Sequence, residues 1–520
     1  MYDILIKNAN IIDGTGKPAF KGSLAIKGDK ISGIGEVNGL AKKIIDANGF
    51  FVAPGFIDVL THSDVFLNIF NSPKQESFLQ QGITTIIGGN CGASLAPLLG
   101  SKSIEVIKKW ADVESITMDW SKVDEFLNSV RRLRLGVNFG TLAGYSTIIS
   151  AVHKNKSASL DVDSLNKINL ILNDALKGGA LGISVGSSFS QKENMSFAEM
   201  IKIGQVVSKH KKVMSVHLRD EGENIVASIN EILQVAEETG ASLELSHFKI
   251  LSSKVKPENV LSIIQDSVAG GANVNFDVYL YNSLAVALFS LLPDWALDGG
   301  VEEIQKRIKD PLSRPKIIKD LQKSSIDIGN ILLSHTGRNK LFLNKTINEV
   351  AVKDSILPEE ALLNIIGMSD NDVAGFFYAK NEDSIGVLLK SDLALVSSDG
   401  AGSPMAYDTK HNQLIHPRNF GAFPYAVGRY VREEKLLAVE QMIQKITSLP
   451  AKKYSLAGRG FLAKNYFADI CLFDLENIGS RSTFDNPFVY PDGILGVIVN
   501  GAVALWDKKI INGSLGEVLH

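Results

Sequence analysis

The chain has 520 residues, 45% of them hydrophobic and 8% aromatic, with a formal net charge of −3. That length exceeds a single ordinary core, since domains usually span about 100–200 residues and α/β barrels reach roughly 250 or more. One large domain and a smaller satellite are therefore expected. The near-neutral charge gives no reason for a nucleic-acid partner, and no run of about 18 apolar residues marks a membrane span. Cys91 and Cys471 are the only cysteines, too few for a disulfide framework. No secretory pattern opens "MYDILIKNANIID", so a cytoplasmic protein is expected.

The first segments, "DILIKNANIIDG", "GSLAIKGDKISGIG" and "KIIDANGFFVAP", read as short alternating strands punctuated by Gly, Asp and Asn. The middle of the chain then alternates apolar strands with helical patterns, the signature of a parallel sheet covered by helices. The predicted barrel strands are "FIDVLTH", "TTIIGGN", "VNFGTLAG", "ALGISVG", "VMSVHL", "SLELSH", "NVNFDVY" and "LALVSSD". Between them, segments such as "SLNKINLILNDALKGG" and "NIVASINEILQVAEETG" repeat apolar residues at three- and four-residue spacing and stop at Gly. The stretch 281–391 is too long for a simple connection and predicts a helical insertion over the barrel mouth. From Ala463 the opening texture returns in "YFADICLFDL", "GILGVIVNGAVALWD" and "KIINGS". The expected architecture is an α/β (β/α)₈ TIM-like barrel over 54–462 with an insertion between strands 7 and 8. A small β-sandwich is expected from residues 1–53 and 463–520.

A (β/α)₈ barrel gathers its active site where the strands end. His62 ends the first strand, Asn90 and Cys91 the second, His217 the fifth, His247 the sixth, Tyr279 the seventh and Asp399 the eighth. A single buried histidine is more often a core residue, and a single cysteine a small hydrophobe. Core residues have no reason to choose the same end of successive strands, so the six together predict a site. His153, His210 and His335 stand outside this pattern, the first two among lysines and the third within the insertion.

The ordered set "PGFIDVLTH", "GNCGAS", "HLRDEG", "LSHFK", "SSDG" and "HPRNFGAFP" continues in "KITSLPA", "GRGFL" and "FADICLFD". It resembles the D-aminoacylase (N-acyl-D-amino-acid deacylase) branch of the amidohydrolase superfamily over nearly the whole chain. The resemblance implies a zinc ion held by Cys91, His217 and His247. Thiolate and imidazoles suit that metal, and three protein ligands leave a fourth position for water. It implies Asp399 as the catalytic base, Arg418 as the carboxylate-binding group with Lys249 assisting, and Tyr279 near the scissile bond. The family's second, weaker metal site uses two histidines of the first strand. Leu60 fills the first position and cannot donate a lone pair, so one Zn²⁺ per chain is expected, with His62 a weak ligand or a neighbour of the substrate.

The implied activity is zinc-dependent hydrolysis of N-acyl-D-amino acids, releasing a D-amino acid and a carboxylate from a small-molecule substrate. Two alternatives are another amidohydrolase, acting on a cyclic amide or a D-aminoacyl peptide, and a catalytically impaired binding protein. The chain departs from the family pattern at Leu280, Ala285, Tyr145, Ile148 and Tyr425, and in "GSSFS". These changes are expected mainly in loops over the barrel mouth, where specificity is set.

Overall fold

The computed structural model describes residues 1–520 except 109–110, 112, 153–159, 187–194, 298–300, 324–325, 338–339, 370–372, 379–382 and 406–413. His153 and all but the first residue of "GSSFS" therefore lie outside the described residues. The eight parallel strands of the barrel are Phe56–Asp58, Ile83–Gly88, Asn138–Gly144, Gly182–Val185, Val213–Val216, Ser242–Leu245, Val274–Val278 and Ala394–Val396, each neighbouring the next in chain order. The ring closes just beyond the first and eighth strands, where Thr61 and Gly400 form a parallel bridge. His62 N donates to Gly400 O at 2.7 Å, and Asp399 N donates to Leu60 O at 3.1 Å. The closure thus runs through the two segments that carry His62 and Asp399.

Period-two alternation sorts the strand residues. Met214, Val216, Leu243, Leu245, Phe276, Val278, Ala394 and Val396 face the helices and join the largest apolar cluster. Val213 and Leu395 belong instead to a smaller cluster with Ile57, Leu60, Ile87 and Leu142. Two residues on from Val213 and Leu395 stand the buried hydroxyls of Ser215 and Ser397, and two further on stand His217 and Asp399. The same register carries Asp277 to Tyr279.

The terminal segments build one mixed sheet of nine strands, five from the N-terminal and four from the C-terminal part of the chain. Its first strand, Tyr2–Ile11, forks: Tyr2 to Lys7 pair with Ala41–Asp46, whereas Asn10 and Ile11 pair with Phe51 and Val52. Asn8 between them has φ 56°, the left-handed conformation that Asn tolerates best after Gly. Ile4, Ile6, Leu24, Ile26, Ile470 and Ile498 share the apolar cluster of this sheet. At its junction with the barrel the buried Arg459 pairs with Asp469, which also accepts from the Asn500 backbone N and from Asn138 of the third barrel strand.

The insertion is not purely helical. Besides helices such as Val301–Lys309, Ser313–Leu321 and Pro358–Met368 it contains an antiparallel sheet of Ser283–Ala287, Ala374–Tyr378 and Leu332–His335. Its apolar cluster takes in Tyr279 and contacts Leu251, both in loops that leave the barrel at the strand ends. "SLAVA" is an alternating β pattern that the length of the surrounding apolar run obscured. Among the described residues no helix is long and apolar enough to cross a membrane.

Candidate metal centre

Cys91, His217 and His247 come together beyond the second, fifth and sixth strands. His247 Nε2 lies 2.9 Å from His217 Nδ1 and 3.5 Å from Cys91 Sγ. All three donor atoms fall within 4.8 Å of one another, and this is the one such group of three among the described residues. The two rings meet edge to face with centroids 4.1 Å apart. Asp64 and His62 stand outside the cluster.

Local backbone conformation aims two of these ligands and the neighbouring carboxylate. Cys91, His247 and Asp399 have φ of 52°, 37° and 50°. Left-handed backbone is uncommon for residues other than Gly and collects at functional sites. Strict alternation would place His247 opposite in direction to Glu244 and Ser246; the left-handed turn brings it back toward the interior. Around Cys91 the chain is drawn against the third and fourth strands. A Cβ on Gly89 would meet Leu142 O at 2.1 Å, and one on Gly92 would meet Gly186 N at 2.7 Å. Gly92 N donates to Ser184 Oγ at 3.0 Å, so the fourth strand anchors the cysteine loop through a serine rather than offering a ligand.

The electrostatics ask for a cation. Burial pushes the Cys91 thiol well above its ordinary range, and Asp399 raises it further. Burial and then the neighbouring His247 hold His217 well below the usual histidine range, leaving a neutral imidazole. Two imidazoles and a thiol that ionises only against positive charge make a donor set suited to a thiophilic divalent ion. Metal loading at neutral pH is expected to release about one proton per site, from Cys91. Calorimetry of metal binding in buffers of differing ionisation enthalpy measures that stoichiometry, and zero proton release would show that the thiol is not a ligand.

Lys249 and Glu221 stand behind His247. Lys249 Nζ lies 3.0 Å from His247 Nδ1 and 2.9 Å from Glu221 Oε2. Burial would raise the Glu221 carboxyl, but Lys249 and the hydrogen bond to His247 prevail and lower it to about 2. Glu221 therefore orients a ligand-bearing ring in the manner of outer carboxylates at metal sites. "HLRDEG" contains this residue, but nothing in its loop position marks it from sequence.

Asp399 and Arg418 face each other across the mouth. Arg418 Nη1 lies 2.6 Å from Asp399 Oδ2, with each side chain 12% exposed. His62 Nε2 lies 2.9 Å from Asp399 Oδ1. Burial opposes ionisation of Asp399, yet Arg418 and His62 outweigh it and hold the carboxyl far below the usual range. His62 thus meets the carboxylate. Arg418 opens the helix Arg418–Tyr425, and its backbone N donates to His416 Nδ1 at 3.1 Å. His416 Nε2 in turn lies 2.7 Å from Ser283 Oγ of the insertion, so His416 fixes the start of that helix. Arg418 Nε is buried without a hydrogen-bond partner. The Tyr279 ring lies 5.3 Å from the Arg418 guanidinium carbon, and its hydroxyl donates to Ser283 O at 3.0 Å.

Two of the departures are buried in the helix that directly follows the third strand. Tyr145 and Ile148 are buried in the helix Tyr145–Val152 within the main core, where the Tyr145 hydroxyl donates to Glu199 at 3.0 Å. Their apolar bulk serves packing between barrel and helices. Leu280 is buried as well, Ala285 is exposed on a strand of the insertion, and Tyr425 stacks on Tyr281 with centroids 4.9 Å apart.

The eight-stranded barrel brings Cys, His and His side chains together at its strand ends as a candidate metal site, and the relatives it resembles are metal-dependent amidohydrolases. No protein-family model matches the chain. A D-aminoacylase from Alcaligenes xylosoxydans xylosoxydans is 27% identical over 522 residues, spanning 100% of this chain and 97% of the relative. The solved N-acyl-D-glutamate deacylase of Bordetella bronchiseptica, complexed with zinc and a phosphonate mimic of the tetrahedral intermediate, is 26% identical with TM-score 0.83 over 100% of this chain and 99% of that one. A solved D-aminoacylase, whose binuclear centre is described as showing one-metal activation and second-metal attenuation, is 25% identical with TM-score 0.83 over 100% of both chains. Over its full length the chain is similar to the D-aminoacylase (N-acyl-D-amino-acid deacylase) branch of the amidohydrolases in both sequence and fold.

Proposed function

We propose that this enzyme hydrolyses the amide bond of N-acyl-D-amino acids with a single zinc ion per chain, working on small molecules in the cytoplasm. The observation that carries the reading is the meeting of the Cys91, His217 and His247 donors with a buried carboxylate and guanidinium, Asp399 and Arg418, at one end of the barrel. Zinc bound by the three donors would act as a Lewis acid on the scissile carbonyl and on water. The chain's own groups do the rest. Arg418 receives the α-carboxylate of the substrate, for which a planar guanidinium with an unused buried Nε–H is well matched. As Arg418 turns to that carboxylate, Asp399 loses the partner that most lowers its proton affinity and becomes a stronger base. Asp399 then takes a proton from the attacking water and delivers it to the leaving amine nitrogen. His62 holds Asp399 in place, Lys249 and Glu221 hold His247, and Tyr279 walls the guanidinium.

The test is metal content measured together with a screen of N-acyl-D- and N-acyl-L-amino acids on purified protein. About one zinc per chain and turnover of the D-series support the reading. Opening of hydantoin-type rings with N-acyl-D-amino acids untouched would replace it with a cyclic amidase, and neither metal nor turnover would make the chain a binding protein. Arg418→Lys keeps the charge but loses the two-pronged geometry, so KM for carboxylate-bearing substrates is expected to rise about 10-fold or more, the scale of a charged hydrogen bond.

Leu60 bears on the metal count. It is buried against Ile87, Leu142 and Leu395 in the barrel interior, an apolar position. Leu60→His is expected to add a donor beside His62 and raise uptake of a second divalent ion in equilibrium dialysis. Unchanged stoichiometry would mean that His62 remains committed to Asp399.

A further inference from the structure

The metal centre lies at the C-terminal ends of the barrel strands; a second polar cavity, of about 480 Å³, opens at the N-terminal ends. Lys212 immediately precedes the fifth strand, Ser242 begins the sixth, and Asn273 immediately precedes the seventh. Lys211, Lys452 and Lys453 complete the basic part of its lining, and no carboxylate lines it. Lys453 is 8% exposed, and its Nζ donates to Asn273 O at 3.2 Å and Asn273 Oδ1 at 3.1 Å. An ammonium has three donors, so one is left over. None of the four lysines has an ion-pair partner among the described residues.

We propose that this cavity is a binding site for a phosphate group, free or carried on a small molecule. Four lysines line one cavity that has no carboxylate in its lining, and burial has stripped solvation from Lys212 and Lys453. A dianionic phosphate offers the missing charge, and Ser242, Asn273 and Asn275 supply neutral hydrogen-bonding groups beside it. Burial accordingly lowers Lys212, and it lowers Lys453 to about 7 although Glu244 on the sixth strand acts in the opposite sense. Glu244 acts on Lys453 from inside the barrel, and Lys211, Lys212 and Lys452 line the same cavity. An anion among the lysines raises the proton affinity of Lys453, so above pH 7 binding takes up protons.

Titration calorimetry on the metal-loaded full chain at pH 8 and fixed ionic strength, with inorganic phosphate and glycerol 3-phosphate as probes, tests this. Saturable one-to-one binding with proton uptake is expected, and tighter binding of either probe identifies the form of phosphate preferred. The double variant Lys212→Gln/Lys452→Gln should weaken it at least tenfold, and metal-free Cys91→Ala should retain it. Should the double variant not fold, Lys452→Gln alone, at an exposed position, should weaken binding at least threefold. Heat that only scales with salt, or insensitivity to the lysine variants, would overturn the proposal. Binding lost in Cys91→Ala but kept in the lysine variants would place the anion at the metal centre instead.

Discussion

Cys91→Ala is expected to remove metal and turnover together. The thiol is the sole sulfur donor of the cluster, 3.5 Å from His247 Nε2, and two imidazoles remain once it is gone. Removing an outer partner of a metal ligand already costs about 10–100-fold in affinity or activity, so loss of a direct donor should exceed ~10²-fold. Metal analysis after dialysis against a weak chelator, followed by assay with and without added zinc, measures both quantities. The side chain is small and partly buried, so the fold should survive and its unfolding midpoint without metal should match that of the metal-free parent. A variant that keeps one equivalent of tightly bound metal would remove Cys91 from the ligand set. His247→Ala should behave alike but also release Lys249 and Glu221 from their arrangement behind the ring, leaving a buried charge pair without its third member.

The barrel was legible because its strands are apolar runs with the right spacing. Seven of the eight expected segments contain their strand whole, and the second, "TTIIGGN", misses only Ile83. His217, Tyr279 and Asp399 were legible for the same reason, since counting by two from the buried interior of their strands reaches them. His247 does not obey that count, and its left-handed backbone could not be inferred from "SLELSH". Glu221, His416 and Ser283 escaped notice because they act through contacts between segments far apart in sequence. His416 meets Ser283 across 133 positions, and no local pattern encodes such a contact. The sheet in the insertion was missed because a short apolar run reads equally as helix or strand. Tyr145 and Ile148 stand just beyond the third strand, where burial gives them a packing role that their place in a motif did not reveal.

Asp399→Asn is the change that separates base from ligand. Asparagine keeps the shape of the carboxyl and can accept a hydrogen bond from His62 or Arg418, but it cannot take a proton from water. Turnover is expected to fall by about 10²–10⁴-fold, the usual contribution of a positioned acid–base group. The three donors of the metal cluster do not include Asp399, so metal content should stay at the parent value. Stability should also fall, because Arg418 keeps its charge at 12% exposure and loses the anion 2.6 Å away. Stripping one partner from a buried pair costs up to about 3–5 kcal/mol, and the retained amide oxygen should leave the loss below that figure. A carboxylate ligand ought to restore part of it by occupying Arg418, so the unfolding midpoint of Asp399→Asn should respond to an N-acyl-D-amino acid more than that of the parent does. That response distinguishes a guanidinium poised between two carboxylates from one that only buttresses the loop. If metal is lost along with turnover, Asp399 is a ligand and the proton must be taken elsewhere; if turnover survives, the pair with Arg418 is structural.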